Sequence, residues 1–147
     1  MNNMSQMRTH YIVMFIIMIL SGLLSTMNVW VDKMDDIRFS INDLYMILLM
    51  TGWMFLFTGL YYGEISVFLV GLTLVIVNIW CIRNQVFITE NQYKMGMIPH
   101  HSMAVHMSKK LLERDSSHSD KDIEPHTKEF VRNIITAQEN EILFLKK

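Results

Sequence analysis

Residues 44–82 read LYMILLMTGWMFLFTGLYYGEISVFLVGLTLVIVNIWCI, and Glu64 is the one Asp, Glu, Lys or Arg among them. On either side of that carboxylate lie apolar runs at 44–63 and 65–82. A helix crossing the hydrocarbon core of a bilayer, ~30 Å thick, needs about 20 predominantly apolar residues, with roughly 17–25 observed. Both runs meet that length, the second narrowly. Residues 11–31 form a third run free of Asp, Glu, Lys and Arg. Aromatic residues stand near the ends of the runs: Tyr11 and Trp30, Tyr45 with Tyr61 and Tyr62, and Trp80, as expected at membrane–water interfaces. The sequence predicts an all-α protein with three transmembrane helices over about 11–31, 44–63 and 65–82. A cleaved signal peptide does not account for the first run, which exceeds the usual apolar core of about 7–15 residues and has no small-x-small site after it. Nor do buried helices of a soluble core, since the polar remainder is too small to cover three helices apolar all round.

The remaining composition narrows the function classes. The formal net charge is −1 over 147 residues, and from Asn84 onward nine basic residues balance nine acidic ones. A polyanion finds no charge bias there, so no nucleic-acid partner is expected. The single cysteine, Cys81, has no internal disulfide partner. The chain divides into a transmembrane region, 1–83, and a polar tail, 84–147. Basic residues favour the cytoplasm. Lys33, Arg38, Arg83 and Lys94 on one side, against Arg8 on the other, would place the tail inside.

Two helices are expected in the tail. The first runs over about 90–113, the segment RDSSHSDKDIEP (114–125) breaks it, and the second starts near Pro125 and ends near Leu145. Proline suits the first position of a helix. Phe130, Ile134, Ala137, Glu141 and Leu145 project onto one narrow face of the second helix. On the first, Met97, His100, His101, Ala104, Met107 and Leu111 share an arc of about 120°, and this is the face expected to meet the second helix. Met103 lies off its edge and His106 opposite.

The stretch MGMIPHHSMAVHM, 95–107, gathers four methionines and three histidines. Adjacent imidazoles are an unusual core choice, because each ring nitrogen needs a partner. A soft metal is one such partner, since thioether with imidazole suits Cu(I), and imidazole alone suits Cu(II) or zinc. On a helix Met97 can reach His100 or His101, His100 can reach Met103, and Met103 can reach Met107. His100 and Met107 are too far apart to share one atom. A carboxylate is the other possible partner, and Glu141 on the facing helix offers one.

MIPHHSMAVHM (97–107), followed by IITAQENEI (134–142), resembles the DUF305 family, marked by Met-x-x-His-His on one helix and Ala-Gln-x-x-Glu-Ile on its partner. The matching positions are Met97, His100 and His101, then Ala137, Gln138, Glu141 and Ile142. The resemblance covers about 90–145, and the upstream region is similar to that of membrane-anchored members with three helices. It implies a ferritin-like helical bundle. Some members bind copper or silver outside the cytoplasm through methionine and histidine, which makes His100, His101, Met97, Met103 and Met107 the candidate ligands and copper, as Cu(I) or Cu(II), the candidate metal. Two departures stand out. His106 occupies a position often acidic in the family, and this tail has two helices where a full bundle has four. A homodimer pairing two hairpins would complete the bundle. The family's usual location places the tail outside the cytoplasm, against the charge count, and that side is the one adopted.

Met46, Met50 and Met54 repeat every four residues in the second run, Met14 and Met18 do so in the first, and Met1, Met4 and Met7 repeat every three at the N-terminus. With three membrane helices, this pattern resembles copper permeases of the Ctr type. Their glycine motif lies in the third helix, whereas the small-xxx-small step here, Gly59 and Gly63, ends the second. No catalytic pattern is present: no His-Glu-x-x-His, no phosphate loop, and no pair of Glu-x-x-His segments for a di-iron site. The expectation is therefore a non-enzymatic membrane protein whose tail binds copper for sequestration or tolerance. The alternatives are a structural or assembly protein without metal, and a permease.

Overall fold

The computed structural model describes residues 2–117 and 123–147. It holds five α-helices: α1 Asn2–Leu24, α2 Ile41–Tyr62, α3 Ile65–Arg83, α4 Glu90–Ser117 and α5 Pro125–Leu145. Short 3-10 turns cover Met27–Trp30 and Met34–Asp36. No strand occurs among the described residues. The all-helical expectation holds, and α2 and α3 occupy the second and third apolar runs. The first differs, because its regular helix stops at Leu24 and the apolar residues that follow enter a 3-10 turn. Part of the predicted break at 114–125 falls on 118–122, outside the described residues.

The helices form two compact units. The first contains the chain up to Thr26 together with Ile41–Ile88. Stretches within Thr9–Trp30, Ile41–Tyr62 and Ile65–Arg83 make all three helices long and apolar enough to cross a membrane. They bury little of that apolar surface in the protein: 6%, 33% and 17% of the three most apolar windows. α2 and α3 form a tight hairpin, and α1 packs on α2. Tyr45, Ile47, Phe55 and Val75 are buried between them, and the rings of Tyr11 and Phe15 pack on Phe55. Two buried polar side chains are satisfied within their own helices: Thr51 Oγ1 donates to the Ile47 carbonyl at 2.8 Å and Asn78 Nδ2 to that of Leu74 at 2.7 Å.

Glycine sets how closely α2 and α3 approach. A Cβ at Gly59 would stand 2.3 Å from the Phe68 backbone nitrogen, and one at Gly71 would stand 2.3 Å from that of Leu56. Gly63 plays no part in this packing. It turns the chain between α2 and α3 with φ +68°, with open space where its Cβ would be. Gly59 therefore packs against Phe68 on α3 and Gly71 against Leu56 and Gly52 on α2, and the Gly59/Gly63 step read from sequence is half packing and half turn. Met46 and Met50 lie about half exposed on the outside of this unit.

The second unit joins Met27–Ser40 to Thr89–Lys147. Residues 27–40, by sequence a connector between spans, pack on α4. Asn28 closes this loop on itself: its Nδ2 donates to the Arg38 carbonyl at 2.8 Å, and the Arg38 N–H donates to its Oδ1 at 3.0 Å. Thr89 caps α4, its Oγ1 accepting from the Gln92 N–H at 3.3 Å. Pro125 opens α5 at its first turn. α4 and α5 pack as a hairpin over Ile98, Val105 and Ile142, with Ile135 and Leu145 at the edge.

This core corrects the expected contact faces. Ile98, Ser102, Val105 and Ser108 are the buried stripe of α4, whereas His100, Met107 and Leu111 are exposed. On α5, Val131 and Ile142 are buried while Phe130, Ala137 and Glu141 are exposed. Leu145 alone among the predicted α5 positions borders the core. The physical reason is that α4 has two partners. α5 covers one side and the 27–40 loop another, so part of the buried stripe is serine turned toward polar loop groups. A search for apolar periodicity passes over such a stripe.

Candidate functional site

The histidine pair lies nearly three turns into α4. The rings of His100 and His101 have centroids 6.0 Å apart and stand nearly perpendicular, at 82°. His100 is exposed and His101 mostly buried. His101 Nδ1 is 2.7 Å from Glu141 Oε2 on α5. The oxygen lies close but off the direction of an aligned hydrogen bond, so Nδ1 is a buried nitrogen with an ionic neighbour and no made hydrogen bond. A carboxylate beside one imidazole nitrogen is the arrangement that holds a ring in one tautomer and leaves the other nitrogen's lone pair available.

Met97 and Met103 are half-buried on α4, one turn to either side of the pair. Met107 is exposed and sits near Trp30, His106 and Lys110 around a separate groove. The candidate ligands thus divide. Met97, His100 and His101 share one stretch with Glu141 facing it, Met103 lies further round α4, and Met107 belongs to other surroundings. Among the described residues no group of three or more His, Cys, Asp or Glu side chains is placed to hold a metal ion. A metal here would therefore depend on thioether sulfur in addition to imidazole.

A second polar constellation, absent from the sequence reading, joins the 27–40 loop to α4 and α5. Ser102 is fully buried. Its hydroxyl accepts from the Asp32 N–H at 2.9 Å and donates to Asp36 Oδ2 at 2.6 Å. Asp36, itself 2% exposed, has its other oxygen 2.7 Å from Lys146 Nζ, without hydrogen-bond alignment. Lys146 also pairs with Asp35. Lys109 Nζ bridges Asp32 Oδ2 at 2.8 Å and Glu139 Oε1 at 3.0 Å. Hydrogen bonds to these carboxylates hold the ammonium groups of Lys109 and Lys146 above the usual lysine range. Lys146 likewise holds Asp35 below the ordinary carboxylate range. A cavity of about 140 Å³ lies among Asp32, Asp36, Glu139 and Lys146. Its charges pair off, which marks it as a clasp. The one sequence signal for it was three aspartates, at 32, 35 and 36, in a loop otherwise read as linker.

Comparison with known proteins follows this division. Residues 84–147 match the family described as "Domain of unknown function (DUF305)". Over 136 residues the chain is 39% identical to an uncharacterized protein of Acanthamoeba polyphaga mimivirus, covering 89% of this chain and 85% of that relative. That similarity includes most of the three apolar helices as well as the tail. No solved structure matches.

Proposed function

The chain belongs to the DUF305 family, and from that premise we propose that it is a multi-pass membrane protein whose α4–α5 domain binds a soft metal ion, copper by donor chemistry, for sequestration or tolerance. The observation carrying this reading is His101 Nδ1, buried 2.7 Å from the Glu141 carboxylate. With the carboxylate orienting that nitrogen, Nε2 is the ligating atom. Met97 and His100, its neighbours on the helix, supply thioether and imidazole, and Met103 is next in reach. This donor set fits Cu(I). Bound copper would be held, and no catalytic step is assigned.

Membrane anchoring is supported by the length and apolarity of three helices. It is supported too by the packing of 27–40 with 89–147 in one unit, since three crossings bring the first loop and the tail out on the same side. That side is extracytoplasmic in this proposal. α5 also leaves Phe130 and Phe144 uncovered. A second copy placed there would complete a four-helix bundle, so the functional form is a homodimer.

The same Glu141 contact favours a second reading, in which His101 is a core residue satisfied by its carboxylate and the protein serves assembly alone. The two are separated by titrating the detergent-solubilised full chain with Cu(I) against a chromophoric chelator. The metal reading expects binding that His101→Ala abolishes and Glu141→Gln weakens by roughly 10–100-fold, the usual effect of losing an orienting partner. If the wild type competes no better than His101→Ala, and the substitution only lowers stability, the assembly reading stands.

A further inference from the structure

The groove beside α4 that takes Met107 from the candidate ligand set has a composition of its own. Its volume is about 630 Å³, within the range of roughly 300–1,000 Å³ typical of small-molecule sites. Apolar surface comes from Trp30, Met107 and Leu111, each more than a third exposed. His106, Lys110 and Arg114, spaced four apart along α4, add basic groups. No carboxylate lines it among the described residues. Glu113 reaches Lys110 at 2.7 Å, but both side chains are more than half exposed, and such a surface pair is weak enough for an incoming anion to displace.

We propose that this groove binds the headgroup and upper acyl chain of an anionic phospholipid. A ligand matching it must carry negative charge toward Lys110 and Arg114 and an apolar segment toward Trp30, Met107 and Leu111. Trp30 says where that ligand comes from, because it closes the apolar stretch Thr9–Trp30, and tryptophan at the end of a crossing sits at the level of the lipid headgroups. Lysine and arginine near a membrane surface attract anionic headgroups by about 1 kcal/mol, or roughly fivefold in affinity, per basic residue wherever the facing leaflet carries anionic lipid. The inference rests on the membrane reading and is independent of the metal.

The chain's three tryptophans, Trp30, Trp53 and Trp80, provide the test. A Trp53→Phe/Trp80→Phe protein keeps Trp30 as sole reporter, and a Trp30→Phe protein keeps the other two. Each is reconstituted in vesicles of phosphatidylcholine containing a minor fraction of brominated phosphatidylglycerol or, separately, brominated phosphatidylcholine. The proposal expects Trp30 to be quenched several-fold more by the anionic lipid, the preference to vanish in Lys110→Gln/Arg114→Gln, and millimolar inorganic phosphate to leave it unchanged. Equal quenching by both lipids overturns it, as does a preference surviving the double substitution. Loss of the preference to phosphate would make the site one for a free anion and overturn the lipid assignment. Protection of Trp30 from both lipids together with cross-linking between chains would assign the groove to a second copy, also against the proposal. Absence of quenching at Trp53 and Trp80 would instead defeat the membrane reading beneath it.

Discussion

Ser102, in the middle of α4, donates a 2.6 Å hydrogen bond to Asp36, 66 positions earlier in the chain. Through the same oxygen it accepts from the backbone of Asp32. One small hydroxyl thus anchors two points in the middle of a loop that the sequence presents as a connector. Around it, Lys109 and Lys146 place ammonium groups against Asp32 and Asp36. The hairpin of α4 and α5 is thereby clasped to the segment that follows the first apolar helix.

Ser102→Ala removes the donor to a carboxylate that is 2% exposed and leaves the Asp32 N–H without its acceptor. Leaving buried polar groups unsatisfied costs about 1–3 kcal/mol each. The substitution should lower the denaturation midpoint of the second unit, read by hydrogen exchange at Val105 and Ile142, without changing exchange in α2 and α3. By the same argument, a fragment of 84–147 alone should protect those amides less than one with 27–40 fused ahead of it. Equal protection would mean that the loop rests on the hairpin without stabilising it.

The packing face of the hairpin is open to a direct contrast. Ile142 is 7% exposed and Phe130 59%. Truncating a buried isoleucine to alanine costs about 2–5 kcal/mol, whereas an exposed side chain has little burial to lose. Ile142→Ala should therefore destabilise the monomeric domain strongly and Phe130→Ala weakly, measured in detergent at dilution. If Phe130 lies instead under a second copy, its substitution should shift the monomer–dimer equilibrium and leave monomer stability unchanged. The reverse ranking in the monomer would restore the face read from sequence.

These cases show what the sequence could convey. Length and apolarity identified the helices, because long uncharged apolar runs such as 44–63 and 65–82 leave few alternatives to a helix. Family motifs identified the tail, since Met97, His100, His101 and Glu141 stand at fixed spacing. Periodicity failed for the contact face of α4, where Ser102 is buried among polar loop groups, Ser108 is buried too, and exposed Met107 and Leu111 mimic a core stripe. The clasp was illegible for another reason. Asp36 and Ser102 are joined only by the fold, and nothing local to either residue names its partner.

Glycine contacts make a prediction for the apolar unit. A methyl group at Gly71 would fall 2.3 Å from the Leu56 backbone nitrogen, a distance at which backbone must move. Gly71→Ala should separate α2 from α3 and lower resistance to SDS denaturation. Gly63→Ala meets no neighbour and bears only the cost of a left-handed conformation, about 1–2 kcal/mol. Gly59→Ala should act as Gly71→Ala does, because its added methyl would fall 2.3 Å from the Phe68 backbone nitrogen, and Gly63→Ala should leave SDS resistance nearly unchanged.

The clasp also fixes a pH profile. Lys109 and Lys146 are held above their ordinary range by Asp32 with Glu139 and by Asp35 with Asp36. A raised folded-state value stabilises the fold fully below the unfolded lysine value of about 10.4, and the contribution disappears as pH rises through the higher folded value. Asp35 and Asp115, lowered by Lys146 and Lys128, act in the opposite sense. Their contributions are present above the unfolded aspartate value of about 3.9 and are lost as pH falls through the lower folded values. Between those limits these four groups add no slope. Hydrogen exchange at Val105, corrected for intrinsic rates, should show protection declining above about pH 10.4. Lys109→Arg, whose guanidinium stays charged to pH above about 12, should move the decline upward, and Lys109→Met should remove its share of the decline while lowering protection at neutral pH. An alkaline decline identical in all three proteins would show that Lys109 does not hold the loop to α4 and α5.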